Sequence, residues 1–294
     1  MRRSVIRSRK EYLERRQNER VHTAIAVRKE QFREALRTAT PLPGHLRKDA
    51  LALKKFSELD DDQTKELTTA VDDEYAAAGR EDPRVLVTTS RGASQKLLEF
   101  AKEIRLVVPN AVRMNRGGLS VRQVMDAARK ENYSDVVVLQ ESQGVPDSLI
   151  VSHLPLGPTV TFTIHNLVAR HEIEDVGTMS EQYPHLIFEH FTTKLGLRIQ
   201  NVLKYLFPVP KEDATRVLTF DNQDDYISFR HHTYKINHAA GPNNATNKVE
   251  LKEVGPRFEL TPYRVVLGTL EMDDAETEWV LQPYMNTAKK RRYL

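Results

Sequence analysis

Asp82-Pro83-Arg84-Val85-Leu86-Val87-Thr88-Thr89-Ser90 marks where a charged, polar chain turns apolar. The run from Arg84 to Ser90 is short and rich in β-branched residues, the pattern of a buried strand. Just downstream, Leu97, Leu98, Ala101, Ile104 and Leu106 recur at helical spacing over 94–106. A second strand is predicted over 111–115, followed by a Gly117-Gly118 turn. Ser120 then caps a second helix that reaches Lys130, with Val121, Val124, Met125 and Ala128 facing inward. Asp135-Val136-Val137-Val138-Leu139-Gln140 reads as a third strand, 148–154 as a fourth and the alternating stretch 159–167 as a fifth. Two strand–helix–strand units followed by antiparallel strands make an α/β layer fold.

The theme returns further along. Thr192-Thr193-Lys194 opens a helix carrying Leu195, Leu197, Ile199, Val202, Leu203 and Leu206, and Pro208 and Pro210 end it. A strand over 216–220 follows, as the strand over 111–115 follows the first helix and Pro109. This echo suggests two related halves, about 82–158 and 159–282. Further strands are predicted over 226–236, 248–254 and 257–270, with a polar hairpin loop from His238 to Asn247.

The flanks are charged. The whole chain has 44 Lys and Arg against 41 Asp and Glu, a net +3. That near-balance hides a strong asymmetry. Residues 1–40 hold 12 basic and 5 acidic side chains, and residues 41–80 hold 6 and 9. From about 7 to 37 there is neither Gly nor Pro, and a thin apolar stripe runs through good helix formers, so a long basic helical arm is expected. Such an arm fits binding along RNA or a protein and fits a solvated charged helix equally well. Pro41, Pro43 and Gly44 end it. From 57 to 82 the chain is acidic, with Asp60-Asp61-Asp62 and Asp72-Asp73-Glu74, and is expected to be an irregular linker. A tail over 283–294 carries Lys289-Lys290-Arg291-Arg292, which reads as an import signal, a phosphate contact or a solvated tail.

Several chemistries have no foothold. Cysteine is absent, which removes disulfides, thiolate metal sites and a Cys nucleophile. No run approaches the roughly 18 apolar residues of a membrane span. The first ten residues are basic and lack the apolar core of a secretory signal, so a protein of a reducing compartment is expected. There is no G-x-x-x-x-G-K-[ST] loop; Arg116-Gly117-Gly118-Leu119-Ser120 lacks the phosphate-reaching Lys and reads first as a turn before a capped helix. Neither G-x-S-x-G nor H-E-x-x-H occurs. His231 and His232 are adjacent in a predicted strand and point to opposite faces, which disfavours a shared metal. No catalytic residue, cofactor or metal site is expected.

One strand carries recognition chemistry. With period two, Tyr226, Ser228, Arg230, His232 and Tyr234 share one face, while Ile227, Phe229 and His231 share the other and pack inward. The first face offers two aromatic rings, a guanidinium, an imidazole and a hydroxyl, an inventory suited to stacking bases and touching phosphate. An ordinary exposed strand face has the same composition.

Here a family resemblance enters. Residues 82–91, with Phe100-Ala101-Lys102-Glu103-Ile104 and Pro109-Asn110-Ala111, resemble the opening of a Brix domain. The strand from Thr219 to Tyr234 resembles the sigma-seventy-like RNA-binding motif of that superfamily, and Gly255-Pro256-Arg257-Phe258 its Gly-Pro-Arg-Phe signature. The resemblance covers about 83–272. Val71-Asp72-Asp73-Glu74-Tyr75, the stretch 149–158 and His185-Leu186-Ile187-Phe188 are most similar to the Imp-four-like branch. The resemblance implies a fold of two anticodon-binding-like α/β halves. It also implies a nucleolar, non-catalytic RNA-binding component of the U-three snoRNP and small-subunit processome. The partners implied are U-three snoRNA, pre-rRNA, M-phase phosphoprotein ten and the Imp-three protein. The expected RNA-binding residues are Asn222, Tyr226, Ser228, Arg230, His232, Tyr234, Arg257, Arg91 and Arg116. Gln223 stands where the motif often has Arg. A second reading is a protein-interaction scaffold whose core grips a partner peptide by strand addition, with RNA contacts secondary.

Overall fold

Two kinds of strand build this protein, and their burial tells them apart. In the computed structural model, Val85–Thr89 (β1) is buried at every position, whereas Arg216–Gln223 (β7) alternates between buried and half-exposed. A strand buried on both faces reads as a continuous apolar run, and one open on one side alternates. The structure describes residues 82–211, 213–237, 248–282 and 293–294, with scattered positions between 24 and 75. The described positions between 24 and 38 are helical, and Gly44–Arg47 forms one helical turn. The remainder of the expected basic arm, nearly all of the acidic linker, the 238–247 loop and the basic quartet at 289–292 lie outside the described residues. Residues 82–294 form a unit of their own.

That unit runs β1, α1 (Gln95–Val107), β2 (Ala111–Arg113), α2 (Val121–Lys130), β3 (Asp135–Ser142), β4 (Val145–His153) and β5 (Thr159–Val168). It continues with β6 (His185–Glu189), α3 (Lys194–Lys204), β7, β8 (Tyr226–Asn237), β9 (Lys248–Glu253), β10 (Arg257–Val266) and β11 (Thr277–Val280). All described strands join one sheet of order β2-β1-β3-β4-β5-β10-β8-β7-β6, with β9 on β8 and β11 on β10. β5 and β10 pair antiparallel at its middle. Outward from each come two antiparallel neighbours and then a parallel pair: β3 with β1 on one side, β7 with β6 on the other. The sheet is thus α/β with two related halves.

Local signals explain the helices. Ser94, Ser120 and Thr193 each accept a backbone N–H of the first turn, and Ser120 with Gln123 completes a capping box. α2 covers one sheet face of the first half, packing Val124, Met125 and Ala128 on Leu86, Val136, Val138 and Ile150. α1 lies on the other face, its Phe100 ring edge-on to Phe258 at 5.7 Å. α3 lies on that same face, where Phe207, just beyond its C-terminus, meets Phe220 at 6.3 Å. Phe188, Phe220, Phe229 and Phe258 run as a ladder of rings beneath them, with successive centroids 4.9, 5.2 and 4.6 Å apart.

The structure departs from the sequence expectation in two elements. The strand expected over 257–270 ends at Val266, because the chain turns at Thr269 and Met272 and returns as β11. β6, only five residues long, was not legible as a strand. No helix among the described residues is long and apolar enough to cross a membrane.

Candidate nucleic-acid interface

Two surfaces gather the residues expected to bind. The first is the face of β6, β7, β8 and β10 opposite α3. Period-two geometry sets Tyr226, Ser228, Arg230, His232 and Tyr234 on it, while Ile227, Phe229 and His231 are buried beneath. Among the described residues no helix lies on this face, and none of its β7 or β8 positions is fully buried.

The side chains there are not equally available. Tyr226 is 46% exposed, its ring edge-on to His165 at 5.5 Å. Arg230 donates to the Phe229 carbonyl at 2.9 Å, and the Tyr234 hydroxyl donates to Ala214 O at 3.0 Å. Burial holds His232 below the usual imidazole range; the Glu253 carboxylate opposes this and Arg230 adds to it. Arg257 lies 3.1 Å from Glu253, so its charge is compensated.

Asn222 is not on this face. It points to the α3 side of β7, is 9% exposed, and donates to the His190 carbonyl at 3.1 Å. Alternation along β7 puts position 222 with Leu218 and Phe220, so the expected contact residue is a loop anchor instead. Gln223 is exposed and donates to Asp221 at 2.6 Å.

Register decides the electrostatics. Glu189 pairs with Asp221, Asp221 with Ser228, Ser228 with Glu259, and Glu259 with His165. A row across five strands therefore carries three carboxylates. Sequence reading missed it because its members come from separate strands.

The second surface lies at the C-terminal ends of β1 and β2, which pair parallel. Arg91 follows β1 and Arg116 follows β2, and both aim Nε at the Leu119 carbonyl, at 3.4 and 3.2 Å. Desolvation, and then the neighbouring charge of Arg91, lower the Arg116 pKa. Two guanidiniums converge on one neutral oxygen. The start of α1 is already occupied: Glu141 accepts from the Ser94 backbone N–H at 2.9 Å and from the Ser94 hydroxyl. No such carboxylate neutralises the Arg91–Arg116 pair among the contacts described.

A cluster of Glu189, His190 and Asp221 has ligand atoms within 4.8 Å of one another, with His190 Nδ1 2.6 Å from Asp221 Oδ1. Beneath the sheet, Arg216 and His231 are buried and hydrogen-bonded to each other, so this chemistry is internal.

Comparison with known proteins gives the family. A Brix domain model matches residues 90–264. The chain belongs to the Brix family. This Brix chain is 50% identical to the U3 small nucleolar ribonucleoprotein protein IMP4 of Homo sapiens, over 98% of this chain and 97% of the human protein. It is 45% identical to the imp4 protein of Schizosaccharomyces pombe, over 97% and 96%. The solved structure of a probable ribosomal biogenesis protein from Aeropyrum pernix K1 is similar to it at 20% identity. That alignment covers 61% of this chain and 96% of the archaeal one, with a TM-score of 0.47.

Proposed function

We propose that this Brix protein is a non-catalytic RNA-binding ribosome assembly factor of the U3 small nucleolar ribonucleoprotein, acting in the nucleolus. The likeness to proteins of that name over nearly the whole chain supports the setting. The partners in this reading are those the family resemblance implies: U-three snoRNA, pre-rRNA, M-phase phosphoprotein ten and the Imp-three protein. Its work is to hold strands together through early pre-rRNA processing, with no bond made or broken by the chain.

The observation that carries the RNA contact is the Arg91–Arg116 pair. A phosphodiester placed between the two forks would relieve their mutual repulsion and accept charge-assisted hydrogen bonds from both. Arg116 stays a cation at neutral pH despite the lowered value, because guanidinium titrates far above it. The test is a salt titration of full-chain binding to a labelled single-stranded oligoribonucleotide. Replacing both arginines by Ala should weaken binding and flatten the log–log salt slope by about 1 to 2 units. A slope left unchanged would remove this corner from the interface.

A further inference from the structure

The first half of the sheet ends in a cleft that carries more positive charge than one chain-internal phosphate matches. β1 runs parallel to β2 on one side and to β3 on the other. The connection after β1 leaves as α1 over one sheet face, and the connection after β2 leaves as α2 over the other. Neighbouring parallel strands whose connections part in this way open a crevice at their carboxyl ends, where α/β sheets take their ligands. Arg91 and Arg116 stand in the two loops that border it, with both Nε–H groups aimed at the Leu119 carbonyl.

The surroundings add charge. Helix starts favour acidic side chains, yet neither α1 nor α2 has one in its first turn. The second residue of each helix is instead a cation, Lys96 in α1 and Arg122 in α2, and both are exposed. Glu141, at the end of β3, has both carboxylate oxygens committed to Ser94. Space beside the guanidiniums is open, since a Cβ on Gly92, Gly117 or Gly118 would meet no heavy atom within 4 Å.

Two guanidinium forks that converge on one point suit a ligand richer in oxygen and charge than a phosphodiester. A phosphodiester inside a strand offers a pair of free oxygens and a single charge. A phosphomonoester offers a third oxygen and a charge of about −1.5 to −2 at pH 7. We propose that the crevice between Arg91 and Arg116 holds the terminal phosphomonoester of an RNA strand. This rests on the RNA contact proposed above for the same pair and names the phosphate that makes it. Hydrolytic cleavage of RNA is the class of reaction that supplies such an end. Water attacks the phosphorus of a phosphodiester, and the departing ester oxygen takes up a proton to become a hydroxyl. Another protein makes that cut, and this chain holds the phosphorylated end of the product.

The test uses the full chain and a single-stranded oligoribonucleotide made with hydroxyl ends, with a 5′-phosphate or with a 3′-phosphate. The fluorescent label always sits on the end away from the phosphate. One of the phosphorylated forms should bind about tenfold more tightly than the hydroxyl form at neutral pH. Arg91→Ala with Arg116→Ala should abolish that gain. Arg91→Glu alone, at an exposed position, should abolish it too, so a folding defect from the half-buried Arg116 cannot decide the result. Acidification from pH 7.5 to 5 protonates the monoester, whose second pKa is about 6, and should cut the gain by about half or more.

Equal binding of all the oligoribonucleotides overturns the proposal. If the double variant still weakens every one of them, the RNA contact itself stands and only the choice of phosphate falls. A gain that persists unchanged to pH 5 overturns it as well. Adenosine monophosphate that displaces the RNA at equal concentration would assign the crevice to a free nucleotide. A phosphoserine peptide that binds more tightly than the phosphorylated RNA would assign it to a protein.

Discussion

Arg216 Nε–H donates to His231 Nε2 across 3.0 Å beneath the sheet, and both side chains are fully buried. His231 Nδ1 lies 2.8 Å from the Gly255 carbonyl, so the ring is neutral, donating at Nδ1 and accepting at Nε2. The Arg216 guanidinium also donates to the carbonyls of Leu106 and Val107, at 3.0 and 2.8 Å, and to Gln182 O at 3.3 Å. A cation from the second half thus satisfies the last turn of α1 in the first, where orphan carbonyls and the helix dipole both favour it.

Replacing Arg216 by Met is therefore expected to destabilise the protein by about 3 kcal/mol or more, since three carbonyls lose their donor. Chemical denaturation reads it. A loss below about 1 kcal/mol would mean that water replaces the guanidinium.

Burial and then the Arg216 charge push the His231 pKa down to about 3 from 6.5. In the unfolded chain the ring takes a proton as pH falls below 6.5, while the folded chain refuses it until about 3. Stability from this group is therefore complete above 6.5 and is lost progressively as pH falls toward 3. Melting temperature followed from pH 7.5 to 4.5 should fall, and His231→Gln should flatten part of that fall. A wild-type profile that is level across the range would contradict a neutral buried ring.

Phe229 stacks on Phe258 at 4.6 Å and meets Phe220 at 5.2 Å, which places it under both α1 and α3. Phe229→Ala should cost about 4 kcal/mol. Ser228→Ala, one residue away on the open face, should stay within about 0.5 kcal/mol. Equal losses at the two positions would contradict the alternation of burial along β8.

Asp225 Oδ1 accepts the backbone N–H groups of Tyr293 and Leu294, both at 3.0 Å, and Thr193 donates to the Tyr293 carbonyl at 2.9 Å. Asp225→Ala should release these residues and cost about 2 kcal/mol, while Asp225→Asn keeps an acceptor and should cost less. The lone tryptophan, Trp279, has its ring 5.4 Å from Tyr293, so its fluorescence reports the release. An unchanged emission spectrum in Asp225→Ala would show the residues still docked.

Gly157 has φ +115°, and a Cβ there would stand 2.8 Å from the Gly268 backbone. Gly157→Ala should destabilise by about 3 kcal/mol, because both the dihedral and the neighbouring main chain resist. A loss within 1 kcal/mol in a urea titration would show that the β10–β11 turn yields.

The sequence alone determined what is written in local periodicity. The apolar run at 85–89, the capped helices at Ser94, Ser120 and Thr193, and the alternation that turns Tyr226, Ser228, Arg230 and His232 one way all follow from spacing within a dozen residues. Tertiary structure decided what those faces meet. Alternation along β8 cannot say that α2 covers its face in one half while no described helix covers it in the other, because a helix's side is set by sheet pairing. The row of Glu189, Asp221 and Glu259 exists only through the registers of β6, β7, β8 and β10, and the Arg91–Arg116 pair only because β1 and β2 run parallel. Asn222 shows the limit: its residue type suited recognition, but the parity of β7 turned it inward. Net charge behaved the same way, with +3 for the chain resolving into a cationic corner and an acidic floor once folding brought distant side chains together.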